Sequence, residues 1–379
     1  MNKSTFYTDS NIVYESTTDI IGKVEETDWD DVIKSYSYTT TDEIVITIFM
    51  PIVVIIGIIG NLMTITVIVK HPRMRTSVNV YLANLAIADV LFLCFAPDLI
   101  WSSFAHSPLH DVFDMGIGEG MLWFCHLNIY IVDTALQVAN FTIFWMSAER
   151  YLAICHPLKF RNSKFGERSR SLQVCVIMWL ISLTWQARKF TWISIVSYEF
   201  PWPDMYNGAP NSTIVCTYCG ANTDSCDFQN DLFVIDIYLS FTLITIVVGF
   251  YTIILITLKR STFATANSTG NKVRSKSEKK VFMTIFLTVT IYIFCMAPFS
   301  IMNIVSIYHG IDHNVILLQI VNIFRVALYT NSSVNPFIYN VVNEMFRKAF
   351  VDVFYRRRKS KKTSGVTVVS QTNPAYVNG

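Results

Sequence analysis

The chain has 379 residues, of which 52% are hydrophobic, 14% aromatic and only 15% charged. Soluble globular domains carry ~25% charged residues, so this composition excludes an ordinary soluble domain. The formal net charge is +2, and the charged residues are unevenly distributed along the chain. We therefore predict a membrane protein, and we expect neither a nucleic-acid partner nor a cofactor.

Seven stretches of the chain are apolar enough and long enough to cross a hydrocarbon core of ~30 Å, which takes ~20 helical residues. We number them helix one to helix seven in chain order. They are residues 43–69, 79–104, 121–154, 172–191, 231–258, 281–308 and 315–342. Because the connections between them are short, the sequence predicts an all-α membrane protein with one seven-transmembrane helix bundle over residues 43–342.

Lysine and arginine are concentrated after helices one, three, five and seven, as in the basic run 356–359. Acidic residues dominate the other connections, as at Asp111 and Asp114. Basic segments stay on the cytoplasmic side, so the amino terminus is predicted outside and the carboxyl terminus in the cytoplasm. Since the first apolar run begins only near Ile44, we expect no cleavable signal peptide.

Three segments lie outside the predicted bundle. Residues 1–42 are acidic and rich in Ser and Thr, which is typical of a disordered extracellular tail. Residues 343–355 place apolar side chains at helical spacing beside basic ones, which predicts a short amphipathic helix on the membrane surface that contacts anionic lipid. Residues 356–379 are predicted to be a disordered cytoplasmic tail with Ser and Thr residues available for phosphorylation.

Two sequons on the predicted outer side, at Asn2 and Asn211, are candidate glycosylation sites. Tyr7 and Tyr14 lie close to acidic residues, which suits sulfation, although an unmodified solvated tail has the same composition. Four cysteines fall on the oxidising side, where disulfides form. They are Cys125, Cys216, Cys219 and Cys226.

Polar side chains interrupt several of the apolar stretches. In a transmembrane helix such residues normally face the bundle interior and find a partner there. Glu149 and Arg150 close helix three, and Pro336 kinks helix seven beside a polar run. The predicted polar core consists of Asn61, Asp89, Asn331 and Ser332.

These residues and several others occur in the order and spacing found in the rhodopsin-like (class A) G-protein-coupled receptors, which the chain resembles over residues 43–355. Residues 74–89 are most similar to the peptide-receptor branch, in the manner of somatostatin, opioid and galanin receptors. The motifs that carry the resemblance are Gly60-Asn61, 85–89, Trp123 with Cys125, Glu149-Arg150-Tyr151, Trp179, Tyr251, 295–298 and 335–339.

The resemblance implies a plasma-membrane receptor for a secreted peptide, not an enzyme. Its implied partners are a heterotrimeric G protein and, through the tail, arrestin and receptor kinases. Activation would move helix six outward and release Arg150 from Glu278, unless Glu278 is simply a solvated residue of a basic segment. The implied switch and coupling residues are Glu149, Arg150, Tyr151, Tyr251, Glu278, Pro298, Asn335, Pro336 and Tyr339.

In the family, the cysteine that opens helix three pins the second extracellular loop to the bundle. Here Cys125 has three candidate partners, namely Cys216, Cys219 and Cys226. We favour Cys216, because residues 191–198 and 212–218 are predicted to be two strands around a turn-rich segment. Cys219 and Cys226 would then remain for a second bridge, and the hairpin would form a lid suited to a peptide.

Candidate ligand contacts are the polar and aromatic residues in the outer halves of the helices. Asp133, Gln137 and Asn140 share one helical face. Arg325 is the most informative candidate, because an arginine in an apolar helix needs an acidic partner. That partner is either a ligand carboxylate or, within the chain, Asp98 or Asp133. The full predicted set is Asp98, Trp101, Asp133, Gln137, Asn303, Arg325 and Tyr329.

The resemblance also excludes two ligand classes. Val132 stands where amine receptors have an aspartate, and Tyr329 stands where opsins have the retinal-binding lysine. A chemokine-like or lipid-activated receptor remains the alternative within the family. A seven-helix transporter is less favoured, because the helices show no inverted repeat.

Three positions depart from the family pattern. Met296 replaces a tryptophan of helix six, and Leu243 replaces a proline of helix five. Ala139 replaces a serine that helps to bind sodium beside the helix-two aspartate. We therefore expect an altered relay between ligand and Arg150, and a sodium site at Asp89 that lacks one ligand.

Overall fold

The computed structural model describes residues 37–106, 122–163, 166–192, 194–199, 212–217, 223–264, 272–309 and 315–356. Within these ranges the side chains at 191–192, 194–199, 212–217, 223–233, 261–264, 272–282, 306–309 and 315–319 and at a few further positions lie outside the description. Several predictions therefore fall outside the described residues or side chains. They concern Asn2, Tyr7, Tyr14, Asn211, Cys216, Cys219, Cys226, Glu278, Asn303 and the tail beyond residue 356.

Each of the seven apolar stretches is largely helical, two of them are divided between two helices, and a shorter helix follows the seventh. We label these helices α1 to α8. They are α1 (Thr40–Lys70), α2 (Ser77–Phe95), α3 (Leu122–Cys155), α4 (Arg168–Gln186), α5 (Thr223–Ala264), α6 (Lys272–His309), α7 (Val315–Val342) and α8 (Glu344–Val351).

Four segments of the described chain are long and apolar enough, by length and composition alone, to cross a membrane. They are Thr40–Lys70, Ser77–Ser102, Trp123–Cys155 and Val234–Leu258. A shorter apolar segment, Phe286–Met302, lies within α6.

Two of the helix ends that differ from the predicted bounds do so for identifiable reasons. Helix two was predicted to continue to residue 104, but α2 ends at Phe95 and a separate helix covers Asp98–His106, because Pro97 lacks the backbone donor that a continuous helix needs. Helix four was predicted to reach residue 191, but α4 ends at Gln186 and a short helix covers Lys189–Trp192. The guanidinium of Arg188 bonds the Trp185 carbonyl (2.7 Å), which satisfies a backbone group at this end.

The predicted hairpin is present as two antiparallel strands, β1 (Ser194–Glu199) and β2 (Ser212–Thr217). Its register pairs Ser194 with Thr217 and Ile195 with Cys216. The first strand begins three residues later than predicted, because the preceding residues are helical. We call the bundle end next to these strands the hairpin end, and the opposite one the Arg150 end.

The bundle is organised around α3 and α7. α3 packs against α2, α4 and α5, whereas α7 packs against α1, α2 and α6. α1 and α7 approach closely at Gly57, where a Cβ atom would overlap the side chains of Ser333 and Leu93. Small residues at such a crossing allow two membrane helices to pack backbone against backbone. This crossing holds the polar residues of α1, α2 and α7 in one layer.

Candidate functional site

A buried polar layer joins α1, α2 and α7. Asn335 Nδ2 donates to Asp89 Oδ2 (2.9 Å), and Asn61 Nδ2 donates to the Gly57 (2.9 Å) and Ser332 (2.8 Å) carbonyls. Asn61, Asp89, Ser332 and Asn335 are all buried, as is Asn331. The structure thus joins Asn335 to Asp89 and Asn61 to Ser332, and these hydrogen bonds tie α7 to α1 and α2.

This layer fits sodium poorly. An ion there would need oxygen ligands, yet Ala139 supplies none and Asn335 turns its amide nitrogen towards Asp89. Among the described residues, no group of three or more His, Cys, Asp or Glu is arranged to hold a metal ion.

At the Arg150 end, the glutamate that precedes Arg150 is a hub for three helices. Both carboxylate oxygens of Glu149 lie 3.0 Å from Ser77 Oγ of α2, and Ser77 Oγ lies 2.6 Å from Ser171 Oγ of α4. Arg150 Nη2 donates to Glu149 Oε1 (3.1 Å). Only 2% of the Glu149 side chain is exposed, against 18% for Arg150. The carboxylate is anchored in the bundle, while its arginine partner remains reachable.

Aromatic side chains surround this pair. Tyr151 stacks on Phe250 of α5 (5.0 Å between ring centroids), and the buried Tyr251 lies against Phe286 of α6 (5.9 Å). Tyr339 is buried and contacts Phe346 of α8 (6.0 Å). Pro298 and Pro336 lie inside α6 and α7. Because the Glu278 side chain is not described, its pairing with Arg150 stays a prediction.

One polar contact at mid-bundle was not foreseen from the sequence. Tyr292 of α6 donates its hydroxyl to Asn140 Oδ1 (2.5 Å), and Asn140 Nδ2 donates to Ser240 Oγ of α5 (3.1 Å). Asn140 therefore links α3 to both α5 and α6. The available signal was a polar residue at mid-height in each of three apolar helices, although nothing in a single sequence shows that they face one another.

At the hairpin end, α3 is tied to the end of α4 by two polar pairs. Lys189 Nζ lies 2.8 Å from Asp133 Oδ2, and Gln186 Nε2 donates to Gln137 Oε1 (3.2 Å). Lys189 was not among the predicted site residues, yet only 3% of its side chain is exposed. The carboxylate of Asp133 thus has a cation of the chain itself beside it.

Internal pairing with Asp98 or Asp133 was one of two alternatives for Arg325, and these three side chains have other partners in the structure. Arg325 Nη1 donates to Asn322 Oδ1 (3.2 Å), and Asp98 Oδ2 is 3.5 Å from Asn128 Nδ2. Asp133 is instead the partner of Lys189. Pairing across helices depends on their rotation and depth, which the sequence alone does not define.

The two aromatic candidates also hold the helices together. Trp101 donates its indole N–H to the Ile46 carbonyl of α1 (3.1 Å), and Tyr329 donates its hydroxyl to the Ala96 carbonyl (3.2 Å). Tyr329 is only 3% exposed, so its hydroxyl serves α2–α7 packing. Trp101 remains partly exposed.

A second cluster missed by sequence reasoning connects α4 to α5. Trp185 Nε1 donates to Asp236 Oδ1 (2.6 Å), and Arg188 pairs with Asp236 Oδ2. The Arg188 guanidinium lies 4.4 Å from the centroid of the Trp185 ring. The signal was a Trp near the end of α4 with an Arg three residues later, together with an aspartate in the apolar α5. The cluster fixes the wall of the bundle next to the hairpin.

Cys125 forms a disulfide bond. Cys94, Cys155, Cys175 and Cys295 are free, so its partner is one of the three cysteines whose side chains lie outside the description. The preference for Cys216 among those three stays a prediction.

A polar layer inside an apolar helical bundle, with an acid–arginine pair at one end and a hairpin at the other, defines a helical membrane receptor of the seven-transmembrane class. Comparison with known proteins agrees. The model of the family "7 transmembrane receptor (rhodopsin family)" matches residues 60–339. The chain belongs to this family, which implies a multi-pass plasma-membrane protein.

The relatives are class A peptide receptors. The chain is 28% identical to somatostatin receptor type 2 of Mus musculus over 344 residues, covering 90% of this chain and 85% of the relative. It is 26% identical to neuromedin-U receptor 2 of Homo sapiens, covering 81% and 70%. It is 25% identical to the allatostatin-A receptor of Bombyx mori, covering 82% and 80%. Because these relatives are receptors, the prediction that the chain is not an enzyme is confirmed.

Proposed function

We propose that this chain is a cell-surface receptor for a secreted peptide. The receptor would activate heterotrimeric G proteins through movement of α6. The supporting observation is the construction of α3. Its hairpin half carries Asp133 and Gln137, Asn140 follows at mid-height, and its other end carries the anchored Glu149 with the reachable Arg150. One helix thus connects the proposed ligand end of the bundle to the proposed coupling end.

The ligand would enter at the hairpin end, with the amino terminus outside the cell. The proposed contacts are Asp98, Trp101, Asp133, Gln137, Asn303, Arg325 and Tyr329. Because Asp133 already has Lys189 beside it at 2.8 Å, a basic peptide group would have to compete with that lysine. This pair argues against a basic ligand group at Asp133.

Activation would shift the population towards a state in which the Arg150 end of α6 has moved away from α3. Arg150 would leave its acidic partners, with Glu278 as the proposed one on α6, and a G-protein helix would occupy the opened cleft. Asn335, Pro336 and Tyr339 on α7 and Tyr251 on α5 flank this region and would repack with it. Arrestin and receptor kinases would act on the tail, and α8 would lie on the membrane surface.

The Tyr292–Asn140 bond predicts the sign of one mutation. Tyr292→Phe should raise basal nucleotide exchange by roughly three- to fivefold, because a hydrogen bond between membrane helices contributes ~0.6–1 kcal/mol to the state that forms it. Thr290→Val is the matched control, since Thr290 Oγ1 bonds the Phe286 carbonyl of its own helix (2.8 Å). Exchange measured on purified G protein should rise in the first variant only; lowered exchange in Tyr292→Phe would contradict the proposed movement.

The function itself is tested by a ligand panel. Cells expressing the chain would be exposed to secreted peptides, including somatostatin, neuromedin U and allatostatin A, with calcium and cyclic nucleotide measured in parallel. A saturable response to a peptide, absent from cells without the chain, is the expected result. A response confined to chemokines or extracted lipids would support the alternative reading and contradict a small peptide ligand.

A further inference from the structure

We infer that Asp42 and Asn322 are positioning residues that hold Arg325 ready to bind an acidic group of the peptide. This inference rests on the proposed function and names the ligand chemistry of that site. Neither positioning residue was among the predicted site residues. Asp42 opens α1 and Asn322 lies on α7, one turn before Arg325, so the three side chains connect the first turn of the bundle to its last transmembrane helix.

Asp42 is fixed on both of its oxygens. Its Oδ2 accepts from the backbone N–H (3.1 Å) and the hydroxyl (2.6 Å) of Thr39, which caps α1 in return. Its Oδ1 accepts from Asn322 Nδ2 (2.8 Å). Only 1% of Asp42 is exposed. A carboxylate so fully bonded has little freedom to rotate towards another partner.

This carboxylate decides which way the Asn322 amide points. An ionised carboxylate only accepts hydrogen bonds, so the amide must turn its nitrogen towards Asp42. The amide oxygen then faces the other way, where Arg325 Nη1 donates to it at 3.2 Å. Since Asn322 is 4% exposed, it cannot exchange these partners for water. Asp42 thus orients Arg325 through one neutral amide.

The guanidinium keeps most of its hydrogen-bonding capacity. Within the described part of the chain, the only side chain that accepts from Arg325 is the neutral Asn322, and no carboxylate lies within ion-pair distance. A guanidinium in an apolar bundle favours a carboxylate, which it can bind through two parallel hydrogen bonds. The ligand group that fits is the terminal carboxylate of a peptide or the side chain of an aspartate or glutamate.

The test uses the purified full-length chain in lipid nanodiscs and three pools of random-sequence peptides. One pool ends in a free carboxylate and lacks Asp and Glu, the second is amidated and contains Asp and Glu, and the third is amidated and lacks both. The amount of peptide retained from each acidic pool is divided by the amount retained from the third pool, so that loss of folded receptor does not change the ratio.

The wild-type chain should retain about ten times more peptide from one of the two acidic pools than from the third pool. That ratio corresponds to a difference of ~1.4 kcal/mol in binding free energy. The pool that is enriched identifies the source of the carboxylate. Arg325→Met and Asn322→Ala should each bring the ratio close to one, and the near-isosteric Asp42→Asn should lower it. Thr47→Val is the matched control, because Thr47 lies on the same helix as Asp42 and its hydroxyl bonds the Glu43 carbonyl of that helix (2.6 Å). Its ratio should stay at the wild-type value.

Each other outcome is decisive. Retention without acidic enrichment overturns the inference and leaves the peptide receptor standing. A wild-type ratio in both Asn322→Ala and Asp42→Asn shows that Arg325 needs no positioning. If no pool is retained above empty nanodiscs, the peptide-receptor function fails and the inference fails with it.

Discussion

Replacement of Arg150 by alanine is expected to abolish peptide-stimulated nucleotide exchange, by about a hundredfold or more, while peptide affinity changes by less than about threefold. Arg150 lies at the end of α3 opposite the hairpin, so it cannot contact a ligand bound near Asp133. Its side chain is 18% exposed, whereas its partner Glu149 is anchored to Ser77. The arginine is therefore the group that can exchange an internal contact for a G-protein contact. Its loss would remove that contact and leave the ligand end of the bundle unchanged.

The measurement is exchange on purified G protein, with peptide affinity determined on the same membranes. Arg161→Ala is the matched control, because Arg161 is an exposed arginine in the neighbouring helix Pro157–Asn162. The control should retain most of its stimulated exchange. Unimpaired exchange in Arg150→Ala would contradict the assigned role. Loss of peptide binding would show instead that the arginine is needed for the fold.

Gly57→Ala is expected to lower the free energy of unfolding by about 1–3 kcal/mol, because a new methyl group would be forced into a packed helix crossing. The ideal Cβ position lies 2.6 Å from Leu93 Cδ1 and overlaps Ser333. Ser333 Oγ is held at 2.9 Å from the Val53 carbonyl, so it cannot retreat without losing that bond. The strain falls on the crossing that supports Asn61, Asn335 and Asp89.

Thermal unfolding of the detergent-solubilised chain provides the measurement. Gly249→Ala in α5 is the matched control, since nothing lies within 4 Å of its added Cβ. We expect its melting temperature to equal or slightly exceed the wild-type value, as Ala favours a helix over Gly. Equal melting temperatures for Gly57→Ala and the wild type would show that α1 and α7 are not packed this closely.

The helices could be predicted from the sequence because a membrane requires long apolar runs, and each predicted run is largely helical. The break after Phe95 was missed, although Pro97, which cannot donate to the preceding turn, was the signal for it. The polar core was predictable in the same way. Asp89 and Asn61 are costly in an apolar helix without partners, and helix seven offered the amides and hydroxyls that fit.

Partner choice between helices could not be predicted. Asp133 was assigned to Arg325 or a ligand, yet the turn after Gln186 brings Lys189 to it instead. Arg325 was expected to contact an acid directly. In the structure it donates to the neutral Asn322, and it is Asn322 that bonds the carboxylate of Asp42 on α1. In each case a rotation of ~100° per residue decides which side chain faces which neighbour, and no periodicity in one sequence reports the relative rotation of two helices.

The central claim is that peptide binding moves the Arg150 end of α6 away from the rest of the bundle. Spin labels on two exposed positions, Val69 at the end of α1 and Met283 on α6, report this distance in the chain with Cys94 replaced by serine. Adding the peptide that stimulates nucleotide exchange in the panel should shift the distance distribution by several ångströms towards longer separations. An unchanged distribution under conditions in which the same peptide stimulates exchange would contradict the account.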